Sequence, residues 1–255
     1  MRKILLIGGT SDSVLLAKGL VGAGYEVMAS QATEAVLDYP EQVVVRRGRL
    51  DADGFCGLVH EARIGAILDA AHPFATALHD TVREVAEICG VPLLRLEREA
   101  STLPAWVHVV EDPEAAAELA FELGDTVLVT TGSRTLETYV ERAREVGGTL
   151  WARMLPCEES RAAAARCALP EEQIAWGRGP FAMEDTLELL RRSGAWVVVA
   201  KDSGEAGGLS ERIEAAEIHG AEVVAIRRPA RVLGAVESVE EMLECLARLG
   251  EDAGS

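Results

Sequence analysis

Two Rossmann-like α/β domains with parallel sheets are what this sequence predicts, and three observations predict them. Short continuous apolar runs, such as residues 4–7 and 196–200, read as strands buried on both faces. These runs alternate with stretches of helical apolar spacing almost throughout the chain. The alternation breaks at residues 99–104, which have no period and include Pro104. A chain of 255 residues is comfortable for two domains. The break assigns residues 1–98 to an N-terminal domain and 105–248 to a C-terminal one. A cleft between two such domains is a preferred place for a small ligand.

The elements follow in order. Residues 4–7 are the first strand. Ser11 or Asp12 caps the next helix; Leu15, Leu16, Leu20 and Val21 keep its apolar spacing, and Gly22 and Gly24 end it. Residues 26–29 and 43–45 read as strands, 55–62 as a helix, 64–68 as a strand, 74–89 as a long helix and 91–96 as the fifth strand. Pro73 is expected in the first turn of that long helix, where a missing amide costs nothing. Beyond the break, strands are expected at 106–110, 126–129, 149–153, 196–200 and 223–226. Asp112 followed by Pro113 opens a helix to about residue 123, and further helices are expected near 136–146, 158–167, 182–193 and 211–218. Ser238 and Glu241 have the spacing of a capping box for the last helix.

Composition narrows the function. A net charge of −17 argues against nucleic-acid and membrane-surface partners. The acidic excess gathers near the C-terminal end, where Glu237, Glu240, Glu241, Glu244, Glu251 and Asp252 face a single Arg248. Arginines gather instead at strand ends: Arg46, Arg47 and Arg49; Arg95 and Arg98; Arg134; Arg153; Arg227 and Arg228. A locally basic crevice suits an anionic ligand, because guanidinium forks match carboxylates and phosphates. No apolar run approaches the roughly 20 residues a membrane helix needs. The start is too short for a signal peptide, so a cytoplasmic protein is expected. Five cysteines are widely spaced with no Cys-x-x-Cys, so neither a disulfide framework nor a metal site is expected.

Polar clusters punctuate the strand ends, where an open parallel sheet places its ligand crevice. Gly8-Gly9-Thr10-Ser11 follows the first strand and opens a helix, which suits close backbone approach to a phosphate or carboxylate. It is not Gly-x-Gly-x-x-Gly, and Ala29-Ser30-Gln31 lacks the acidic residue of an NAD-type site. Thr130-Thr131-Gly132-Ser133-Arg134 is a second such loop, with hydroxyls, a glycine and an arginine able to pair with the 2′-phosphate of NADP. Neither loop is a Walker motif. His72 stands between a strand and a helix with Asp69 nearby, and no serine or cysteine beside it supports a hydrolytic triad. Lys201-Asp202-Ser203-Gly204 closes a valine-rich strand; a lysine beside an aspartate there can donate a proton or clamp an anion. Gly177-Arg178-Gly179-Pro180-Phe181 reads as a shaped loop before a helix. The Tyr-x-x-x-Lys of short-chain dehydrogenases is missing, since Ala29, Val43 and Ala143 follow the three tyrosines.

Together these segments resemble the precorrin-6A reductase family of corrin-ring biosynthesis, including its cobalt-precorrin-6A counterpart. The resemblance spans nearly the whole chain through Gly8-Gly9-Thr10, Gly48-Arg49-Leu50-Asp51, Asp69-Ala70-Ala71-His72-Pro73-Phe74-Ala75 and Arg95-Leu96-Glu97-Arg98. It continues through Thr131-Gly132-Ser133, Arg153-Met154-Leu155-Pro156, Gly179-Pro180-Phe181, Lys201-Asp202-Ser203-Gly204 and Arg227-Arg228-Pro229. Ser11-Asp12-Ser13 departs from the glutamate and alanine usual there, and Ala182-Met183-Glu184-Asp185 from a serine, glutamate and asparagine.

The resemblance implies two Rossmann-like domains with substrate and nicotinamide between them. It also implies that a hydride from NAD(P)H and a proton are added across C18–C19 of the macrocycle. Within it, Thr131, Gly132, Ser133, Arg134 and Gly179 are expected to hold the cofactor, NADPH or NADH. Gly8, Gly9, Thr10, Arg49, Arg95, Arg153 and Ser203 are expected to contact substrate, and Lys201, Asp202 and His72 to be catalytic. The partners expected are the tetrapyrrole substrate and other enzymes of the cobalamin pathway. A non-catalytic nucleotide- or tetrapyrrole-binding module, or an oxidoreductase of another anionic substrate, is the alternative.

Overall fold

A computed structural model of the chain describes residues 3–32, 37–97, 102–179, 181–204, 207–230, 232 and 234–252. Two compact units make it up, one of Met1–Glu99 with Pro229–Ser255 and one of Ala100–Arg228.

The first unit contains β1 (Lys3–Ile7), α1 (Ser11–Gly22), β2 (Glu26–Gln31), β3 (Val44–Arg47), α2 (Ala52–Glu61), β4 (Ala66–Asp69), α3 (Thr76–Cys89) and β5 (Leu93–Arg95). Its sheet runs β3-β2-β1-β4-β5 and is parallel throughout. Ile4, Leu5, Leu6 and Ile7 are all sealed from solvent, because β1 is central and covered on both faces. Ile4 and Leu6 pack with Leu16 and Leu20 of α1, whereas Leu5 and Ile7 pack with Phe55 of α2 and Val82 and Val85 of α3. Each such aliphatic side chain contributes about 1.5–3 kcal/mol by burial. Thr10 caps α1 by accepting from the Ser13 amide at 3.1 Å, and Asp51 caps α2 by accepting from the Gly54 amide at 2.9 Å.

The second unit contains β6 (His108–Val110), α4 (Pro113–Leu123), β7 (Thr126–Val129), α5 (Leu136–Val146), β8 (Thr149–Met154), α6 (Glu158–Arg166), a 3₁₀ turn (Glu171–Gln173), β9 (Ile174–Trp176), α7 (Met183–Ser193), β10 (Val197–Lys201), α8 (Leu209–His219) and β11 (Glu222–Ile226). Its sheet, also parallel, runs β6-β11-β10-β7-β8-β9. With β7 taken as its first strand, β9-β8-β7-β10-β11 repeats the order of the first sheet, and β6 is an added edge. Asp112 caps α4 by accepting from the Ala115 amide at 2.8 Å, as Asp112-Pro113 predicts.

The two Rossmann-like sheets predicted from sequence are both present. Several details differ. Residues beyond Arg228 return to the first unit, where Met242 and Leu246 of α9 (Val239–Asp252) pack with Leu16 and Leu20 of α1. The expected second domain running to 248 therefore stops short, and the apolar stripe of α9 is spent on the first core. The strand β9 was not anticipated; it is three residues long and sits at the sheet edge, too short for a periodic signal. Helix α3 begins at Thr76, so Pro73 lies in a loop where the Ala75 amide donates to the His72 carbonyl at 2.8 Å. Thr10, not Ser11 or Asp12, is the cap of α1. The expected break at 99–104 falls partly outside the described residues, at 99–101, and Arg98 and Pro180 also lie outside them. Among the described residues, no helix is long and apolar enough to cross a membrane.

Candidate active site

In an open parallel sheet, ligands bind beyond the carboxyl ends of the strands where the strand order reverses. In the first sheet that point lies between β1 and β4, and in the second between β7 and β10. The polar clusters singled out in the sequence fall there: Gly8–Thr10 and 70–75 in one unit, 130–135 and 202–204 in the other.

The first loop is built tightly. A Cβ on Gly8 would collide with Tyr39 Oη and come within 3.0 Å of Ser13 Oγ, and Gly9 has φ of +109°. Ser13 Oγ accepts from the amides of Gly9 and Thr10 at 3.2 and 3.3 Å, and lies 2.7 Å from Tyr39 Oη. Those two amides are already satisfied from within. Thr10 Oγ1 donates to the Ala70 carbonyl at 2.8 Å, tying the β1 loop to the β4 loop.

The β4 loop is held by a buried pair that the sequence did not reveal. His79 of α3 places Nδ1 2.6 Å from Asp69 Oδ2 and Nε2 3.1 Å from the His72 carbonyl. Asp69 Oδ1 accepts from the Ala71 amide at 3.1 Å. Arg95 lies with Nη1 4.0 Å from Asp69 Oδ2 and Nε 3.3 Å from Glu97 Oε2, and Glu97 is buried. The guanidinium of Arg95 is thus shared by two carboxylates, while Pro73, Thr76 and Arg83 join it around a cavity of about 290 Å³. His72 is exposed, its Nδ1 accepting from the Phe74 amide at 3.3 Å. Arg49 is exposed after the edge strand β3, its carbonyl accepting from Arg46.

The loop after β7 is different. The Thr130 amide and hydroxyl both donate to the Val199 carbonyl at 2.9 Å, fixing the loop to β10. Gly132 has φ of +84°, and a Cβ on it would meet nothing within 4 Å. No acceptor among the described residues takes the amides of Gly132, Ser133 and Arg134. Thr131 is buried, with Oγ1 3.1 Å from Thr135 Oγ1. Ser133 accepts from Ser160 at 3.2 Å. These amides, turned by a left-handed glycine, form a cradle of donors of the kind that suits an anionic group.

Lys201 ends β10 beside this cradle. Burial, and then the charge of Arg134, pull its ammonium below the ordinary lysine value. Asp202 is committed elsewhere: Oδ1 lies 3.5 Å from Arg228 Nη2 and accepts from the Gly204 amide at 3.3 Å. Ser203 turns back on Lys201, its amide donating to the Lys201 carbonyl at 2.8 Å, and Gly207 packs so closely on it that a Cβ there has no room. Arg153 lies buried at β8, with Nη2 donating to Thr186 Oγ1 at 2.9 Å and its guanidinium 4.3 Å from the Phe181 ring centre. Gly179 is exposed next to that ring.

Residues 3–247 match the family model "Precorrin-6x reductase CbiJ/CobK". The chain belongs to this reductase family. It is 34% identical over 248 residues to a cobalt-precorrin-6A reductase of Priestia megaterium, covering 95% of this chain and 97% of that one. A precorrin-6A reductase of Rhodococcus erythropolis is 32% identical over 256 residues, with 98% of each covered. Among solved structures, "CobK precorrin-6A reductase" superposes with a TM-score of 0.80 at 26% identity, covering 97% of each chain. The family resemblance read from the scattered motifs is therefore correct. Sequence reasoning missed His79 because it is ten residues from Asp69, and only the folding of α3 over β4 joins them. The helical position of His79 on the same face as Val82 and Val85 was its one signal.

Proposed function

We propose that the chain reduces precorrin-6A, with or without cobalt, to the 6B form in cobalamin biosynthesis, using NADPH or NADH. Membership of the reductase family supports the substrate. The observation that carries the cofactor side is the set of unclaimed amides at Gly132, Ser133 and Arg134, set at the strand-order reversal of the second sheet.

The residues present fit a nicotinamide dinucleotide. Gly132, Ser133 and Arg134 would hold its phosphates, and Thr131 would shape the turn. When bound, that group supplies a hydride. The chain's own work is to orient the macrocycle and to provide the proton that balances the hydride across C18–C19. Lys201 is the proton donor in this reading: its ammonium is partly desolvated, flanked by Arg134, and poised to give up a proton. Asp202 is a positioning residue, fixing the 202–204 turn through Arg228. Thr10, Gly8 and Gly9 hold the β1 loop in shape against Ala70, and the exposed Arg49 and His72 are the candidates to meet the acidic arms of the macrocycle. The cytoplasm is part of the same proposal.

Mixing the protein with NADPH and precorrin-6A tests it. One nicotinamide oxidised per macrocycle, with a gain of two hydrogens in the product, is expected. Binding of both ligands with no oxidation favours the non-catalytic module and overturns the proposal.

A further inference from the structure

We propose that a cavity of the second unit, between β8, β9 and α7, is a socket for one oxyanion group of a bound ligand, with Arg153 at its base. The inference deepens the reading above, because it rests on an anionic ligand in this unit. The cavity holds about 390 Å³ and is lined by Arg153, Trp176, Arg178, Phe181, Asp185 and Arg192 among others.

Arg153 is the telling group. It is only 6% exposed, yet its one hydrogen bond goes to a neutral hydroxyl, Thr186 Oγ1. Its Nε is buried and has no hydrogen-bond partner among the described residues. Buried guanidinium groups are ordinarily paired, since removing a charge from water is costly. Phe181 covers one face at 4.3 Å, and Gly177 makes room for that ring: a Cβ there would lie 2.7 Å from it. The ring offers weak cation–π attraction but no counter-charge.

Two surroundings deepen the deficit. Arg212, also carrying a buried Nε without a partner, lies near enough to repel Arg153. Burial first, and then Arg212, hold the Arg153 guanidinium down to about 10, with Asp185 offsetting part of this. At the rim stand two more arginines, Arg178 and Arg192, both exposed. A planar oxyanion placed against Arg153 would supply the missing acceptor and relieve the repulsion. Asp185 and Glu188 stand in the same lining and compensate the charge only in part, and a desolvated, incompletely paired charge in a cavity is a candidate ligand site.

A carboxylate arm of the macrocycle and the 2′-phosphate of NADPH share this chemistry. Strand β8 neighbours β7, and the corresponding strand of a dinucleotide fold ends at the ribose; here it ends in Met154 with no acidic residue. Both sources are therefore tested, with NADPH, NADH and precorrin-6A as probes and quenching of tryptophan emission as the readout. Arg153→Met removes the base of the socket, and Arg178→Gln, at an exposed rim position, removes one guanidinium without touching the core. At least tenfold weaker binding of one probe to Arg153→Met, with a smaller loss of the same probe in Arg178→Gln, is expected. Loss of NADPH but not NADH assigns the phosphate; loss of precorrin-6A with both nucleotides unchanged assigns the carboxylate. Either supports the socket. Unchanged affinity for every probe that the wild type binds, in both variants, overturns the socket alone. If Arg153→Met does not fold, unchanged affinities in Arg178→Gln overturn it. A wild-type protein that binds none of the three overturns the proposed function, and the socket with it.

Discussion

His79 Nδ1 lies 2.6 Å from Asp69 Oδ2, and both side chains are buried at the carboxyl end of β4. The pair turns a helix side chain into a brace for the 70–75 loop, since the opposite ring nitrogen meets the His72 carbonyl. Breaking a buried pair by removing one partner typically costs about 3–5 kcal/mol. Arg95, 4.0 Å from the same carboxylate oxygen, offsets some of that. His79→Leu is expected to lower stability by about 3 kcal/mol in urea unfolding. His72→Ala, at an exposed position, is expected to cost less than about 1 kcal/mol. Equal effects from the two would contradict the bracing role.

Lys201 sets a pH dependence. Its pKa is lowered by burial and by Arg134, so the folded protein releases this proton at a lower pH than an unfolded chain does. A proton donor of this kind loses activity as pH rises through its lowered pKa. Arg134→Gln removes a neighbouring positive charge and so favours the protonated ammonium. The alkaline limb of kcat, measured at saturating cofactor, is expected to move to higher pH in Arg134→Gln. The stability term has a matching sign: the burden of the charged lysine is full below its folded pKa and fades as pH rises toward the unfolded value near 10.5. A limb that stays fixed or moves down in Arg134→Gln contradicts Lys201 as the titrating donor.

Gly8 and Tyr39 are sterically coupled, because a Cβ on Gly8 runs into Tyr39 Oη. Gly8→Ala is expected to cost about 1–3 kcal/mol through overpacking. Tyr39→Phe removes the obstructing oxygen, so the double variant should recover at least half of that cost. Strict additivity in a double-mutant cycle of denaturation midpoints would show that the clash is not the cause.

Gly132→Ala separates fold from function. The added Cβ has open space, but φ of +84° strains any side chain. A stability loss of about 1 kcal/mol is expected. The same methyl crowds the amide cradle, so NADPH should bind about tenfold more weakly, equivalent to about 1.4 kcal/mol. Fluorescence titration of bound NADPH measures it; an unaltered Kd would place the phosphates elsewhere.

The sequence made the sheets legible through local signals. Ile4–Ile7 could only be a doubly covered strand, and Asp112-Pro113 marked the start of α4 before any tertiary contact was considered. The loops at the strand-order reversals were legible for the same reason, as glycines and hydroxyls directly after apolar runs. What was hidden depends on long-range placement. Nothing local tells that Ser13 would consume the amides of Gly9 and Thr10 while those after Thr131 stay open. The partner of Asp202 is Arg228, 26 residues away on the far side of β11, so its anchoring role could not be read beside Lys201. The last helix looked like the end of the second domain because its stripe does not say which core it joins.

The central claim is that this chain transfers a hydride from reduced nicotinamide to precorrin-6A. NADPH carrying deuterium at the transferable position tests it most directly, with the tetrapyrrole product weighed by mass spectrometry. A product heavier by one deuterium and one hydrogen is expected, formed at a rate that falls in Lys201→Met. A tetrapyrrole recovered unlabelled and unreduced from a protein saturated with both ligands would contradict it.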